Sequence, residues 1–240
     1  MTTGQPSPGP GIYHRFWELV DVLYPPTCAG CGANGTLWCA DCDAHTRRIP
    51  RPVCPVCGLP LSTRGECSDC MENEPIDGLT IQSWGVFDGA LRTAIHRMKY
   101  NNDIGLAAIF YRRMADSIAV LDWHFDMVIP VPLAPKRKRE RGYNQSALLA
   151  RPLARYFRVK FSDRGLSKIR NTASQTRLTA VERRENVKNT FHADSQIVKG
   201  QRVLLVDDLA TTCSTVRACA KALFDAGAKS VYAFTLARTL

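Results

Sequence analysis

Four Cys-x-x-Cys pairs follow one another in the first third of the chain, and they constrain its fold more than any other feature. The eight cysteines are Cys28, Cys31, Cys39, Cys42, Cys54, Cys57, Cys67 and Cys70. Each pair can place two thiolates on one metal ion from a tight turn, so four pairs provide two complete tetrahedral sites. Zn²⁺ is the usual occupant of a site with four thiolate ligands. The spacing therefore predicts two structural zinc sites with no position open for catalysis.

The spacing does not determine which pairs share an ion. In a sequential arrangement, residues 28–42 bind one ion and residues 54–70 bind the other, whereas a cross-brace interleaves the pairs. The segment 47–52, rich in proline and arginine, is typical of a linker between two units and favours the sequential arrangement. Few apolar residues surround the cysteines, so we expect this region to fold only when zinc is bound.

The chain carries a formal net charge of +10 at pH 7, which favours polyanionic partners such as phosphorylated metabolites or nucleic acid. It contains no run of about 18 apolar residues, so the sequence predicts no membrane-spanning helix and no membrane insertion. Residues 1–11 are rich in proline and glycine and lack the basic-then-apolar order of a signal peptide. We therefore expect a disordered N-terminus, a cytoplasmic location and cysteines that are reduced or metal-bound.

From residue 75 onward, strand-like apolar runs alternate with segments of helical spacing. This alternation predicts an α/β domain with a mostly parallel sheet flanked by helices. We expect three regions, namely the disordered residues 1–11, a helix plus a small cysteine-rich zinc domain in 12–74, and the α/β domain in 75–240. Within the last region, residues 80–89 predict a strand pair or hairpin, and Pro152 is expected to kink or interrupt its helix.

Residues 203–208 join four apolar residues directly to two carboxylates, Asp207 and Asp208. Such an apolar run is typical of a strand buried on both faces of a parallel sheet, and ligands bind beyond the carboxyl ends of these strands. The next loop leads into a predicted helix, whose N-terminus favours an anion. The loop residues are Ala210, Thr211, Thr212, Cys213, Ser214 and Thr215. A phosphate cradle beside two carboxylates fits a ribose 5-phosphate; the alternative is a solvated strand end.

Residues 207–215 resemble the phosphoribosyl pyrophosphate motif of type I phosphoribosyltransferases, and residues 15–238 resemble the ComF family of competence proteins. The shared features are the cysteine pairs, Val-Pro-Leu at 131–133, Arg-Gly-Tyr-Asn-Gln at 141–145, the segment 170–186, the Asp-Asp motif and the Gly-Ala at 227–228. The resemblance implies a type I phosphoribosyltransferase-like fold preceded by a small double zinc-ribbon domain. It also implies phosphoribosyl pyrophosphate as the ligand and Mg²⁺ as a cofactor.

The same resemblance implies roles for individual residues. Asp207 and Asp208 would hold the ribose hydroxyls, and residues 210–215 would hold the 5-phosphate. The residues implied to contact pyrophosphate, or to close over the site as a mobile loop, are Val131, Pro132, Leu133, Arg141, Arg170, Gln175 and Arg177. Cys213 stands where the family usually has glycine, and a Cβ at this position disfavours a positive φ.

The densest charge run of the chain, residues 135–141, lies close to an aromatic side chain. Phosphate neutralisation together with base stacking is how many single-strand-binding proteins work. The candidate nucleic-acid contacts are Lys136, Arg137, Lys138, Arg139 and Tyr143. The alternative is that this run is a solvated basic face.

Three functions are compatible with these features. The first is an enzyme that transfers the phosphoribosyl group to a nitrogen nucleophile with loss of pyrophosphate. The second, implied by the ComF resemblance, is a role in uptake of single-stranded DNA during natural transformation, with the DNA and a DNA-uptake helicase as partners. The third is a non-catalytic sensor of phosphoribosyl pyrophosphate. We favour ligand binding combined with the role in DNA uptake.

Overall fold

The structure is a computed structural model, and it describes residues 25–72, 76–169 and 190–240. The helices are α1 (Ala40–Ala44), α2 (Ser68–Glu72), α3 (Gly89–Tyr100), α4 (Leu106–Ala119), α5 (Pro135–Arg141), α6 (Gln145–Tyr156), α7 (Ser195–Val198) and α8 (Ser214–Asp225). The strands are β1 (Leu79–Val86), β2 (Met127–Pro130), β3 (Lys160–Phe161), β4 (Leu166–Lys168), β5 (Phe191–Ala193), β6 (Arg202–Ala210) and β7 (Ser230–Arg238). The expected helix in 12–24 and the N-terminal residues 1–11 lie outside the described residues.

Five strands form one sheet in the order β1-β7-β6-β2-β3, and every neighbouring pair in it is parallel. The short strands β4 and β5 form a separate antiparallel pair. Val203, Leu204, Leu205 and Val206 of β6 are all buried, which is the burial expected for a central strand with helices on both faces. The predicted α/β class with a mostly parallel sheet is therefore confirmed.

The two cysteine-rich units pack against opposite faces of this sheet. Residues 28–42 share a buried cluster with α3, α4 and α6, in which the rings of Trp38 and Phe110 meet edge to face with centroids 5.1 Å apart. Residues 54–70 share the other cluster with α8 and with Leu79 and Ile81 of β1. Because neighbouring strand residues face opposite sides, each unit completes one apolar layer. Apolar side chains of the sheet and its helices thus complete the packing around the cysteines, where the local sequence has few apolar residues.

Two local expectations are corrected by the structure. Residues 80–89 do not form a hairpin, because β1 runs parallel to β7 from Leu79 opposite Val231 to Val86 opposite Arg238. Of the kink or interruption expected at Pro152, the interruption is absent, because α6 is continuous from Gln145 to Tyr156. The buried side chains of α6 on either side of this proline, packed in the cluster with α3 and α4, hold the helix together.

No helix in the described ranges is long and apolar enough to cross a membrane.

Candidate functional site

A cavity of about 660 Å³ opens at the carboxyl ends of β2 and β6. Asp207 and Asp208 of β6 line it, together with Thr215 from the first turn of α8. The sequence suggested that the strand ends at the two aspartates, but in the structure it continues beyond them. β6 continues to Ala210, because the ladder with β7 extends to the pair Ala210 and Arg238. Asp207 therefore lies on paired backbone opposite Thr235, and Asp208 lies between it and the next paired residue, Leu209.

Asp207 is held by hydrogen bonds from two directions. Its Oδ1 atom accepts from the Ser146 hydroxyl at 2.7 Å and from the backbone N–H of Asp208 at 2.9 Å. Burial and the adjacent charge of Asp208 raise the pKa of Asp207 to about 7, although both hydrogen bonds oppose this shift. A carboxyl group of this kind changes charge readily when a cation or a hydroxyl donor binds beside it.

Asp208 is almost completely buried and forms an ion pair. Only 3% of the residue is exposed, and Lys99 Nζ lies 2.8 Å from its Oδ2 atom. Lys99 comes from the last turn of α3 and also lines the cavity. Lys99 and Ser146 are not predictable as site residues from the sequence, because neither lies near the aspartates in the chain and no local pattern marks them.

The segment 211–213 links β6 to α8, as predicted, and exposes hydroxyl groups at the helix N-terminus. The Thr212 hydroxyl donates to the Ser214 hydroxyl at 2.9 Å. Cys213 is buried and adopts the left-handed conformation with φ +57° and ψ 5°. Glycine is the residue best suited to that conformation. The backbone of Cys213 at the start of α8 is therefore strained by its Cβ atom.

The residues implied to contact pyrophosphate divide into three groups. Val131, Pro132 and Leu133 line the cavity just beyond the end of β2. Arg141 does not, because its guanidinium donates to Gln145 Oε1 and lies 5.2 Å from the ring centroid of Tyr100. The remaining residues, Arg170, Gln175 and Arg177, lie outside the described part of the chain.

The basic residues of α5 lie in different places: some line the cavity with the aspartates, one lines a neighbouring cavity and one is exposed on the surface. Lys136 and Arg137 line the cavity with the aspartates, and Lys168 of β4 joins them there. Lys138 and Tyr143 line a neighbouring cavity of about 490 Å³. The hydroxyl group of Tyr143 donates to a backbone carbonyl of α3, so this ring is packed on the protein. Arg139 is exposed on α5.

The eight predicted zinc ligands form two compact groups of sulfur atoms. Cys28, Cys31, Cys39 and Cys42 make the first group, and Cys54, Cys57, Cys67 and Cys70 make the second, with all sulfurs of a group within 4.8 Å of one another. This sequential grouping is the one that the linker favoured. We call the two groups the first and the second cysteine site.

The distances within each cysteine site fit a tetrahedral metal ion. The sulfurs of Cys28 and Cys42 are 3.6 Å apart, and those of Cys31 and Cys39 are 3.7 Å apart. Four sulfurs at about 2.3 Å from Zn²⁺ in a tetrahedron are separated by about 3.8 Å, whereas a disulfide needs about 2 Å. All ten cysteines are free thiols, so both sites have the ligands and the spacing for structural zinc.

Comparison with known proteins agrees with both halves of this architecture. Residues 19–71 match the double zinc ribbon domain, and residues 144–239 match the phosphoribosyl transferase domain. The chain is 31% identical over 210 residues to the DNA utilization protein YhgH of Escherichia coli K12, covering 84% of this chain and 90% of that protein. It is 31% identical over 209 residues to competence protein F of Haemophilus influenzae, covering 83% and 90% respectively. Adenine phosphoribosyltransferase of Thermoanaerobacter pseudethanolicus, a solved structure, shares 19% identity over 57% of this chain and 82% of its own, with a TM-score of 0.37.

The class of protein is defined by a double zinc ribbon joined to a phosphoribosyltransferase-type α/β domain, with two adjacent aspartates near the carboxyl end of the central strand. Within that class, the chain belongs to the ComF family, the group of competence and DNA-utilization proteins that includes competence protein F and YhgH.

Proposed function

We propose that this protein binds Mg²⁺ and phosphoribosyl pyrophosphate in the cavity at Asp207 and Asp208, and that it acts in the uptake of single-stranded DNA. One observation carries the first part, namely that two carboxylates, four cationic side chains and Thr215, from the first turn of α8, line the same cavity, whereas residues 210–214 of the predicted phosphate loop are not part of its lining. The carboxylates suit ribose hydroxyls, and the loop at the N-terminus of α8 suits a 5-phosphate. Four cationic side chains suit the pyrophosphate: Lys99, Lys136, Arg137 and Lys168.

The two aspartates would contribute differently to ligand binding, because only one of them already has a cationic partner. Lys99 already compensates the charge of Asp208, whereas Asp207 has hydrogen-bond donors but no ion pair among the described residues. Ribose hydroxyls that donate to Asp207 would favour its charged form. Asp207 and Asp208 are the residues that would hold Mg²⁺ beside the ligand. The bound ion would supply charge stabilisation for the pyrophosphate oxygens.

Transfer of the phosphoribosyl group would depend mainly on stabilising the negative charge of the departing pyrophosphate, and less on proton transfer by a side chain. No histidine belongs to the described residues that line it. Lys136 and Arg137 of α5 line the same cavity as Val131 and Leu133, where a departing pyrophosphate would gather negative charge. Preorganised cations in such a position lower the barrier without any reorganisation of solvent. An acceptor with its own nucleophilic nitrogen would then react without a general base.

The first test is calorimetric titration of the zinc-loaded protein with phosphoribosyl pyrophosphate and Mg²⁺. Saturable binding by the wild type, lost in Asp207→Asn/Asp208→Asn, supports the proposal. The matched control is Asp122→Asn/Asp225→Asn, which removes two exposed carboxylates and should bind as the wild type does. An absence of binding by the wild type would overturn the enzyme and the sensor together. Binding without pyrophosphate release in a screen of acceptor bases would select the sensor.

The role in DNA uptake is supported by the exposed basic helix α5 and by the names of the two relatives. Lys136, Lys138 and Arg139 extend the positive charge of the cavity onto the surface. If a strand crosses this helix, its phosphates will contact α5 near the entrance of the ligand cavity. Binding of single-stranded DNA would then compete with phosphoribosyl pyrophosphate through Lys136 and Arg137, which line that cavity.

Fluorescence anisotropy with a labelled oligothymidylate tests this role over a series of salt concentrations. Four phosphate contacts on a single strand give a slope of log affinity against log salt of about −3. Replacing residues 136–139 of α5 by glutamine should remove most of that slope. The matched control replaces four exposed cations elsewhere by glutamine: Arg112, Lys199, Lys221 and Lys229. Equal slopes in the two quadruple variants would show that DNA does not bind at α5.

A further inference from the structure

Two arginines connect the second cysteine site to the loop at the start of α8. Arg217, in the first turn of α8, donates from Nη2 to the sulfur of Cys70 at 3.0 Å. Arg238, at the end of β7, donates to the carbonyl oxygen of Cys57 and lies 3.8 Å from its sulfur. Only 5% of Arg238 is exposed. Both guanidinium groups therefore point towards ligand atoms of one metal site.

Arg238 also contacts the strained residue of the loop. Its Nη1 atom donates to the sulfur of Cys213 at 3.3 Å, and its backbone pairs with Ala210 at the end of β6. The backbone N–H of Arg217 donates to the carbonyl oxygen of Cys213 at 2.9 Å. A short chain of contacts thus runs from the thiolates of the second site, through two arginines, to the residue whose left-handed conformation shapes the loop.

We propose that the second cysteine site supports the phosphate loop, and that Arg217 and Arg238 are positioning residues that couple its zinc occupancy to phosphate affinity. Four thiolates around one Zn²⁺ carry surplus negative charge, and N–H groups that donate to metal-bound sulfur hold the ligands in place. The charge on the sulfurs in turn fixes both guanidinium groups, and Arg238 then holds Cys213 in its uncommon conformation. This inference rests on the proposed function, in which the loop binds a 5-phosphate.

The first cysteine site provides an internal comparison. Arg97 of α3 donates to the carbonyl oxygen of Cys28 at 3.3 Å and pairs with Asp103. In the described part of the chain, the hydrogen bonds of this site reach α3 and its own unit, and none reaches residues 207–217. The first site is therefore expected to stabilise the fold without affecting the loop.

The experiment uses the full zinc-loaded chain with Arg217→Gln, its conservative variant Arg217→Lys and the matched control Arg97→Gln, each verified to retain both zinc ions. Hydrogen exchange of residues 210–217 is measured without ligand. We expect faster exchange of this loop in Arg217→Gln, partial rescue in Arg217→Lys and no change in Arg97→Gln. In the cobalt-substituted protein, the thiolate-to-metal absorption band should shift in Arg217→Gln, because one N–H donor to sulfur is lost.

Ligand binding provides the second measurement. Arg217→Gln should bind phosphoribosyl pyrophosphate about 5- to 10-fold more weakly than the wild type. Because coupling is reciprocal, the ligand should raise the affinity of one zinc ion and not of the other, as measured by equilibrium competition with a chelator. Unchanged exchange, absorption and affinity in Arg217→Gln and also in Arg238→Gln, each with both zinc ions retained, would overturn the coupling and leave the proposed function intact. If the wild type does not bind the ligand, the proposed function fails, and loop exchange together with the cobalt absorption band still decides the coupling.

Discussion

Replacement of Asp207 by asparagine is expected to stabilise the folded protein above neutral pH. Burial and the charge of Asp208 raise the pKa of Asp207 to about 7 in the folded protein, whereas an unfolded chain has a value of about 3.9. Between these values the folded protein keeps a proton that the unfolded chain has released. The stabilisation from the protonated carboxyl is therefore complete below about pH 4 and is lost as the pH rises through 7.

The size of this effect follows from the separation of the two pKa values. Stability changes by about 1.4 kcal/mol per pH unit for each proton that the two states bind differently. Over about three pH units, the wild type should lose on the order of 4 kcal/mol. Asparagine has no charge to bury, and its Oδ1 atom can accept the same hydrogen bonds from Ser146 and from the backbone of Asp208. The variant should thus lack this pH dependence.

Urea unfolding of zinc-loaded wild type and Asp207→Asn checks the prediction, with Asp163→Asn as a control for an exposed carboxylate. Between about pH 5.5 and pH 7.5, the variant should gain roughly 2 kcal/mol relative to the wild type. Comparison at equal pH removes the contribution of the zinc thiolates, which both proteins share. Parallel pH profiles, or a variant less stable than the wild type at pH 8, would refute the assigned environment of Asp207.

Three further outcomes are expected. Lys99→Met should destabilise the protein by about 3–5 kcal/mol at neutral pH, because it leaves the buried charge of Asp208 unpaired; a urea midpoint equal to that of the wild type would contradict the ion pair. Cys213→Gly should be about 1 kcal/mol more stable than Cys213→Ala, because both variants lose the sulfur contact but only alanine keeps a Cβ in the left-handed conformation; the order of their urea midpoints decides. Removal of zinc with a chelator should lower the melting temperature and shift the emission of Trp38 and Trp84 to longer wavelength, since both pack in the layer that the first cysteine site completes; an unchanged melting temperature would contradict a structural role for the metal.

The zinc ligands and the core of the candidate site were predictable from the sequence because both depend on local spacing. Two residues between cysteines suffice to bring their sulfurs onto one ion, and the linker favoured the sequential grouping that the structure has. A strand, two carboxylates, a hydroxyl loop and a helix are consecutive in residues 203–225, so their order alone places Asp207 and Asp208 beside a helix N-terminus. The sequence also indicated that a Cβ at position 213 is unfavourable where the family usually has glycine, and Cys213 does adopt a φ of +57°.

Tertiary structure alone decided which distant residues complete the site. Lys99 and Ser146 meet the aspartates only because β1, β2 and β6 lie in one parallel sheet and bring α3 and α6 to the same edge. Arg141 belongs to a sequence motif, but the fold places its guanidinium 5.2 Å from the ring centroid of Tyr100 at the end of α3 and outside the lining of the cavity. The placement of the two cysteine sites on opposite faces of the sheet likewise depends on long-range packing, which the local pattern of residues does not encode.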